Sequence, residues 1–150
     1  MSKIVNMMYR NGNLIYWNMA YQGHTPTPTP TAITGTVIDY TSTDGNIVTC
    51  DAPYISNTYD ANGGHIQFDT VLTEMPSFIY QTRLETIEIP DSVTKLPYNT
   101  FRACENLTAV TIPSSITELT EGPIFKGCTK LVLSIPATVT AITNAACSGT

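Results

Sequence analysis

Basic residues are scarce and dispersed. Lys and Arg number seven in 150 residues, against twelve Asp and Glu, for a net charge of −5. Neutralising phosphates requires a clustered basic face, so nucleic acid is not expected as a partner. Charged residues of both signs reach only 13%, about half the share usual in soluble domains. Thr, Ser, Asn and Tyr take their place, which favours strands and uncharged polar surfaces over surface helices. Histidine occurs twice, at His24 and His65. No nucleophile or orienting motif accompanies either, so no catalytic residue is expected. Cys50, Cys104, Cys128 and Cys147 form no C-x-x-C pair and no Cys/His cluster at zinc-ligand spacing. No glycine-rich phosphate loop occurs. The expectation is therefore a non-enzyme with no cofactor and no metal. No apolar run approaches the ~20 residues of a membrane-spanning helix, and no membrane partner is expected. The N-terminal apolar residues are interrupted by Asn, Arg and Gly, which denies a secretory signal its core. The chain is expected to stay in the cytoplasm unless something carries it out.

What is present falls into zones. Residues 1–23 are dense in aromatics and methionine, and "YRNGNLIYW" sets Asn11-Gly12 between apolar arms. Asn-Gly adopts the positive φ angles of a two-residue hairpin turn, so a hairpin is expected with Tyr9 on one arm and Leu14 to Trp17 on the other. An isolated hairpin is marginal in water, and Tyr and Trp suit interface hot spots. Tyr9, Leu14, Ile15, Tyr16 and Trp17 are therefore candidate partner-binding residues of an N-terminal anchor. Residues 24–33 hold "HTPTPTPTA". Proline at every second position fixes φ and removes N–H donors. Thr25 to Thr31 should form a stiff polyproline-type spacer of ~20 Å. Residues 34–65 read as a hairpin and loop capping region. Asp44-Gly45 suggests a second hairpin, and "DAPYISNTYDANGG" reads as a loop. "DANGGH" lacks the alternating oxygen ligands of a calcium loop and reads as a turn.

From residue 66 to 150 a repeat takes over. Ile87, Val110 and Leu133 fall 23 apart, as do Ile89, Ile112 and Ile135, Pro90, Pro113 and Pro136, and Val93, Ile116 and Val139. Leu96, Leu119 and Ile142 keep the same step, while Phe101 and Phe125 lie 24 apart, as do Cys104 and Cys128. The extra residue is taken back between Leu131 and Leu133. An earlier partial copy is expected from Phe78 and from Ile66, which lies 23 before Ile89. A fixed period of this size is the signature of a solenoid. The residues two apart in each copy point inward from one strand, and Pro sits where each strand stops, because it cannot donate to a ladder. The expected core comprises Ile87, Ile89, Val93, Leu96, Phe101, Val110, Ile112, Ile116, Leu119, Phe125, Leu133, Ile135, Val139 and Ile142. One coil cannot offset the entropy of its own ordering, so stacking must supply the stability. The fold class expected is mainly β: a short solenoid of about 3.5 coils of ~23 residues, preceded by hairpins and the Pro-rich spacer.

The pattern L-x-x-[IV]-x-I-P-x-x-[VI]-x-x-[LI]-…-F-x-x-C, carried by Leu84, Ile87, Ile89, Pro90, Val93, Leu96, Phe101 and Cys104 and again from Leu107 to Cys128, resembles the BspA-like leucine-rich repeats. That resemblance implies a right-handed coil with a short parallel sheet on one face. The third copy departs from it, with Cys147 in the Phe position and Thr150 in the Cys position. Cys104 and Cys128 should stack on adjacent coils, within disulfide reach but expected as reduced thiols. No polar cap follows Thr150. The open end is expected to be covered by a second copy, or by Ala141 to Thr150 folding over it.

The leading "YRNGNLIYW" is similar to head-fibre and tail-fibre proteins in phages of Bacteroides-type gut bacteria. The resemblances together imply a structural virion protein at the virion surface, assembled in the host cytoplasm. Its expected partners are capsid or fibre subunits, further copies of itself in a homo-oligomer, and a host surface glycan or protein. The alternative is a bacterial cell-surface adhesion module of BspA type.

Overall fold

The computed structural model describes residues 8–10, 13–15, 34–143 and 145–147, and the chain divides into two units, Met1–Thr34 and Gly35–Thr150. In the first, strands β1 (Met8–Arg10) and β2 (Asn13–Ile15) pair antiparallel, Tyr9 with Leu14 and Arg10 with Asn13. Asn11 and Gly12 separate the arms, the spacing a two-residue hairpin needs. Tyr16, Trp17 and the Thr-Pro spacer lie outside the described residues.

The second unit is built of strands and turns. β3 (Val37–Ser42), β4 (Ser56–Asp60), β5 (Gly63–Gln67), β6 (Leu84–Glu88) and β7 (Ala109–Thr111) form one sheet in the order β4-β5-β3-β6-β7. β6 and β7 are parallel, with Ile87 opposite Val110, the 23-residue step of the repeat. The other pairs are antiparallel. A second, two-stranded parallel sheet joins β8 (Glu118–Leu119) to β9 (Ala141–Ile142). The period of two decides which side chains enter the core. In β3, Ile38, Tyr40 and Ser42 are buried while Val37 and Asp39 are exposed.

Two expectations for residues 34–65 are corrected. Asp44-Gly45 does turn the chain, with Gly45 at φ +67°, but no strand follows it. Tyr40 Oη accepts from Val48 N–H, and Ser42 Oγ donates to the Asn46 carbonyl. Side chains thus take bonds that a hairpin would assign to the backbone, and β3 pairs with distant strands instead. The second correction concerns 51–64, read as a loop. It contains β4 and the start of β5, a hairpin closed by Ala61-Asn62 between the paired Asp60 and Gly63. Asp60 Oδ1 accepts from Asn62 N–H at 2.7 Å, the side-chain mimic of a turn that Asp favours.

The partial first copy also differs in register. Ile66 does not align with Ile89; it sits in β5 opposite Ile38. Contact with the next copy begins where Thr94 N–H donates to the Thr73 carbonyl and Glu74 bridges Lys95, a step of 21 residues. By Phe78 and Phe101 the step is 23, because Pro97 to Phe101 is two residues longer than Pro76 to Phe78. β3 runs antiparallel between β5 and β6, where a continuous parallel stack would have placed β5 itself.

Across the repeats the same bonds recur. The N–H groups of Phe78, Phe101 and Phe125 donate to the carbonyls of Thr100, Ile124 and Ala146. Ala146 immediately precedes Cys147, so Cys147 does stand in the Phe position. The Phe78 and Phe101 ring centroids lie 5.9 Å apart, and those of Phe101 and Phe125 5.6 Å apart, at 18° and 4° between planes. The Pro carbonyls of each Ile-Pro accept from Val93, Ile116 and Val139 N–H, so proline ends the strand and closes the next turn. Two residues past each Phe, Tyr80, Ala103 and Gly127 take φ of +59°, +58° and +83°. Only the last is a glycine, so Tyr80 and Ala103 hold this bend at a cost of about 1–2 kcal/mol each.

Ile87, Ile89, Val93, Leu96, Phe101, Val110, Ile112, Ile116, Leu119 and Phe125 are buried. The third copy is looser. Leu133, Ile135 and Val139 are partly buried, and Ile142, expected inside, is 48% exposed. No strand forms over 131–135. Val132 N–H donates to the Thr108 carbonyl as Thr108 N–H does to that of Glu85, but with the residue before Leu133 missing the ladder does not continue. Among the described residues no later coil covers Ile142.

Candidate binding surface

The outward face of the five-stranded sheet follows from the alternation. Ser56, Thr58 and Asp60 on β4 share it with His65 and Gln67 on β5 and with Val37, Asp39 and Thr41 on β3. Thr86 and Glu88 on β6 and Ala109 and Thr111 on β7 extend it. Hydroxyls, carboxylates and one amide dominate, and none of these residues is Lys or Arg. Thr41 Oγ1 and Thr86 Oγ1 lie 2.8 Å apart across β3 and β6. A rigid array of this chemistry can recognise a partner through hydrogen bonds. Pairing to strands on both sides holds its central side chains in place.

The site's strongest electrostatic feature was not expected. His65 is mid-strand in β5 with its ring between two carboxylates. Nδ1 is 2.6 Å from Asp39 Oδ1 and Nε2 is 3.6 Å from Asp60 Oδ1. The Asp39 hydrogen bond raises the His65 pKa, opposed by desolvation and aided by Asp60. A bond to the Asn62 amide foremost lowers the pKa of Asp60. The imidazolium thus fastens β5 to β3 and β4 at once. Its two nitrogens point to opposite carboxylates, so one cation could not be held by all three side chains together. Asp39 lies 26 residues from His65, and only the β3–β5 register brings them together; no local motif could have announced it.

This clamp sets a pH dependence. A raised folded-state pKa means that protonated His65 favours the folded state. The contribution is full below the unfolded value of 6.5 and is lost as pH rises through the higher folded value. Unfolding titrations should show stability falling as the pH rises above about 6.5. Asp39→Asn should flatten that slope. A slope unchanged by the substitution would show that the clamp does not set it.

The thiols form a second row. Cys104 Sγ donates to the Phe78 carbonyl at 3.0 Å and Cys128 Sγ to the Phe101 carbonyl at 2.9 Å. Neither is in a disulfide. Burial pushes Cys104 up to about 12 and Cys128 up to about 11. A thiol so protonated is a poor nucleophile. In the native protein at pH 8, alkylation of Cys104 and Cys128 should run at least about a hundredfold slower than in denaturant. Cys50 and Cys147, only partly buried, should label first. Mass spectrometry of the alkylated peptides reads the order.

Of the anchor residues, Tyr9, Leu14 and Ile15 lie in the β1–β2 hairpin.

Recurrent bonds between copies, a shared apolar interior and a polar sheet face define a β-rich leucine-rich repeat module of the surface or protein-binding class. The chain belongs to the BspA-type leucine-rich repeat family: residues 62–150 match the BspA type leucine rich repeat region (6 copies). No curated protein and no solved structure matches the chain.

Proposed function

We propose that this chain is a non-enzymatic binding protein in which residues 66–150 form a short solenoid whose strands, joined by β3 and β4, present the sheet face to a partner. The observation that carries the reading is the parallel β6–β7 register, Ile87 opposite Val110, continued by the stacked Phe78, Phe101 and Phe125 rings. Such stacking spends the chain on a rigid surface rather than on a pocket. The particular setting we propose is a phage head or tail fibre or decoration subunit at the virion surface, assembled in the host cytoplasm. Residues 1–23 would dock on capsid or fibre subunits and 24–33 would hold the repeats away. Other copies of the chain, and a host glycan or protein, complete the proposed partners. This setting rests on the leading "YRNGNLIYW". A bacterial cell-surface adhesion module accounts for the repeats equally well, since the family match covers them alone.

Deletion of residues 1–23 separates the two. In the virion reading the shortened protein no longer enters particles, while its repeats fold unchanged. Normal incorporation would remove that reading. Binding to bacterial surfaces retained by the shortened protein and lost on Thr86→Lys with Thr111→Lys would, in either reading, locate the partner on the sheet face.

A further inference from the structure

We propose that the free edge of β4 is a docking edge for a second copy of this chain. The two β4 strands pair antiparallel about a twofold axis at Thr58 and join the two sheets. This deepens the self-association in the proposed function by naming its surface.

Among the described residues β4 is the outermost strand of its sheet and pairs only with β5. The two-residue loop makes Asp60 and Gly63 a hydrogen-bonded pair, so the alternate residues Asn57 and Tyr59 turn their amides and carbonyls away from β5. Edge strands are usually blunted by Pro, Lys or a bulge. Ser56 to Asp60 contains no Pro and no Lys, and its register with β5 is unbroken. An apolar fringe surrounds this edge. Tyr54 and Ile55, 38% and 41% exposed, lead into β4. Ile47, 46% exposed, precedes Val48, whose carbonyl accepts from Asn57 Nδ2. Val37, 39% exposed, shares a row with Ser56 through Gln67.

The sequence of β4 is complementary to itself. With Thr58 on the axis, Ser56 faces Asp60 of the other copy, Asn57 faces Tyr59, and no like charges meet. A Thr–Thr pair is favourable across antiparallel strands. In the same register Ile55 of each copy lies opposite Ala61 of the other, so each copy covers part of the other's apolar fringe. Twofold pairing also closes after two copies.

Sedimentation of the full chain tests this. The wild type should be a dimer in equilibrium with monomer. Thr58→Lys and Thr58→Glu each place like charges on the axis and should weaken association about fivefold or more. An equimolar mixture of the two should restore it, because Lys then faces Glu. Thr58 is exposed, and thermal melts of both variants are the check that they stay folded. A wild type that remains monomeric overturns the proposal, as do variants that dimerise like the wild type or a mixture no tighter than its components. A monomer whose Asn57 and Tyr59 amides resist hydrogen exchange also overturns it, in favour of another segment of the same chain. These outcomes leave the surface-presenting reading standing, since that reading is tested by partner binding and not by oligomeric state.

Discussion

Phe101→Ala is expected to lower the unfolding free energy by about 4 kcal/mol, the largest loss from any single truncation in the repeats. Phe101 is fully buried and is the middle of three stacked rings. Truncation removes two ring contacts, each contributing roughly 0.5–1.5 kcal/mol beyond burial, and opens a cavity between coils. The backbone around it is committed. Phe101 N–H donates to Ile124, and its carbonyl accepts from both Cys104 N–H and Cys128 Sγ. The surroundings therefore cannot collapse without giving up bonds between copies. Phe125 stacks on one ring, since Cys147 occupies the next position, and Phe125→Ala should cost roughly 1 kcal/mol less. Phe101→Leu fills most of the volume and should cost less than half as much as alanine. Urea titration of the three variants gives the order directly. Equal losses for Phe101→Ala and Phe125→Ala would show that the rings contribute by burial alone. A domain this size holds about 5–15 kcal/mol in total, so the alanine variant at Phe101 should be close to unfolding at physiological temperature.

That column was legible in the sequence because its information is periodic. Each copy repeats the same solution, so the spacing of Phe101 and Phe125, the Ile-Pro strand ends and the displaced Cys147 each announce a place in the stack. The boundaries of the repeat were not legible, and the reason is physical. Whether Ile66 belongs to a coil depends on what lies beside its strand, and that neighbour is β3, drawn from residues 37–42. β3 satisfies the backbone of β6 with antiparallel bonds on the edge where parallel stacking would have placed β5. Nothing in "VIDYTS" specifies which of several apolar strands it will join. The same non-local pairing creates the Asp39–His65–Asp60 clamp, invisible while His65 was a single histidine beside a turn. At the other end, the missing residue near Leu133 was visible as a corrected drift. Its consequence, a strand that fails to form, depends on whether one shortened segment can still reach every rung.

These differences locate where the molecule is stiff. The central copies, from Leu84 to Cys128, have a neighbour on either side and bury nearly every expected core residue. The third copy has one neighbour among the described residues, and its apolar row is half-open. Local opening should follow the number of sealed faces, from Ile142 inward. The β3–β5 side is held differently, by an aromatic and polar network that no repeat period encodes.

The second large effect tests that network. Gly64→Ala should destabilise the protein by about 3 kcal/mol, although it adds one methyl group to a strand. Gly64 lies opposite Tyr40 on one side and Tyr59 on the other. A Cβ there would sit 2.0 Å from Tyr40 Cζ and 2.3 Å from Cε2. The Tyr40 ring crosses over the glycine to reach β4, where its hydroxyl donates to Asn57 Oδ1 at 2.8 Å and accepts from Val48 N–H. It also meets Tyr59 edge-on at 6.0 Å. Tyr40 is 3% exposed, and burial raises the pKa of its phenol, so the ring has no open side to retreat to. Displacing it strands Val48 N–H, and each buried unsatisfied group costs about 1–3 kcal/mol. Tyr40→Phe should isolate that polar share, while leaving the ring in place. The decisive measurement is the double variant. With Tyr40→Ala already present, the added methyl meets no ring, and Gly64→Ala should cost under about 1 kcal/mol. That leaves a coupling of roughly 2 kcal/mol between two residues 24 apart in sequence. Additive losses would mean that Gly64 is needed for its backbone freedom and not for the space it leaves to Tyr40.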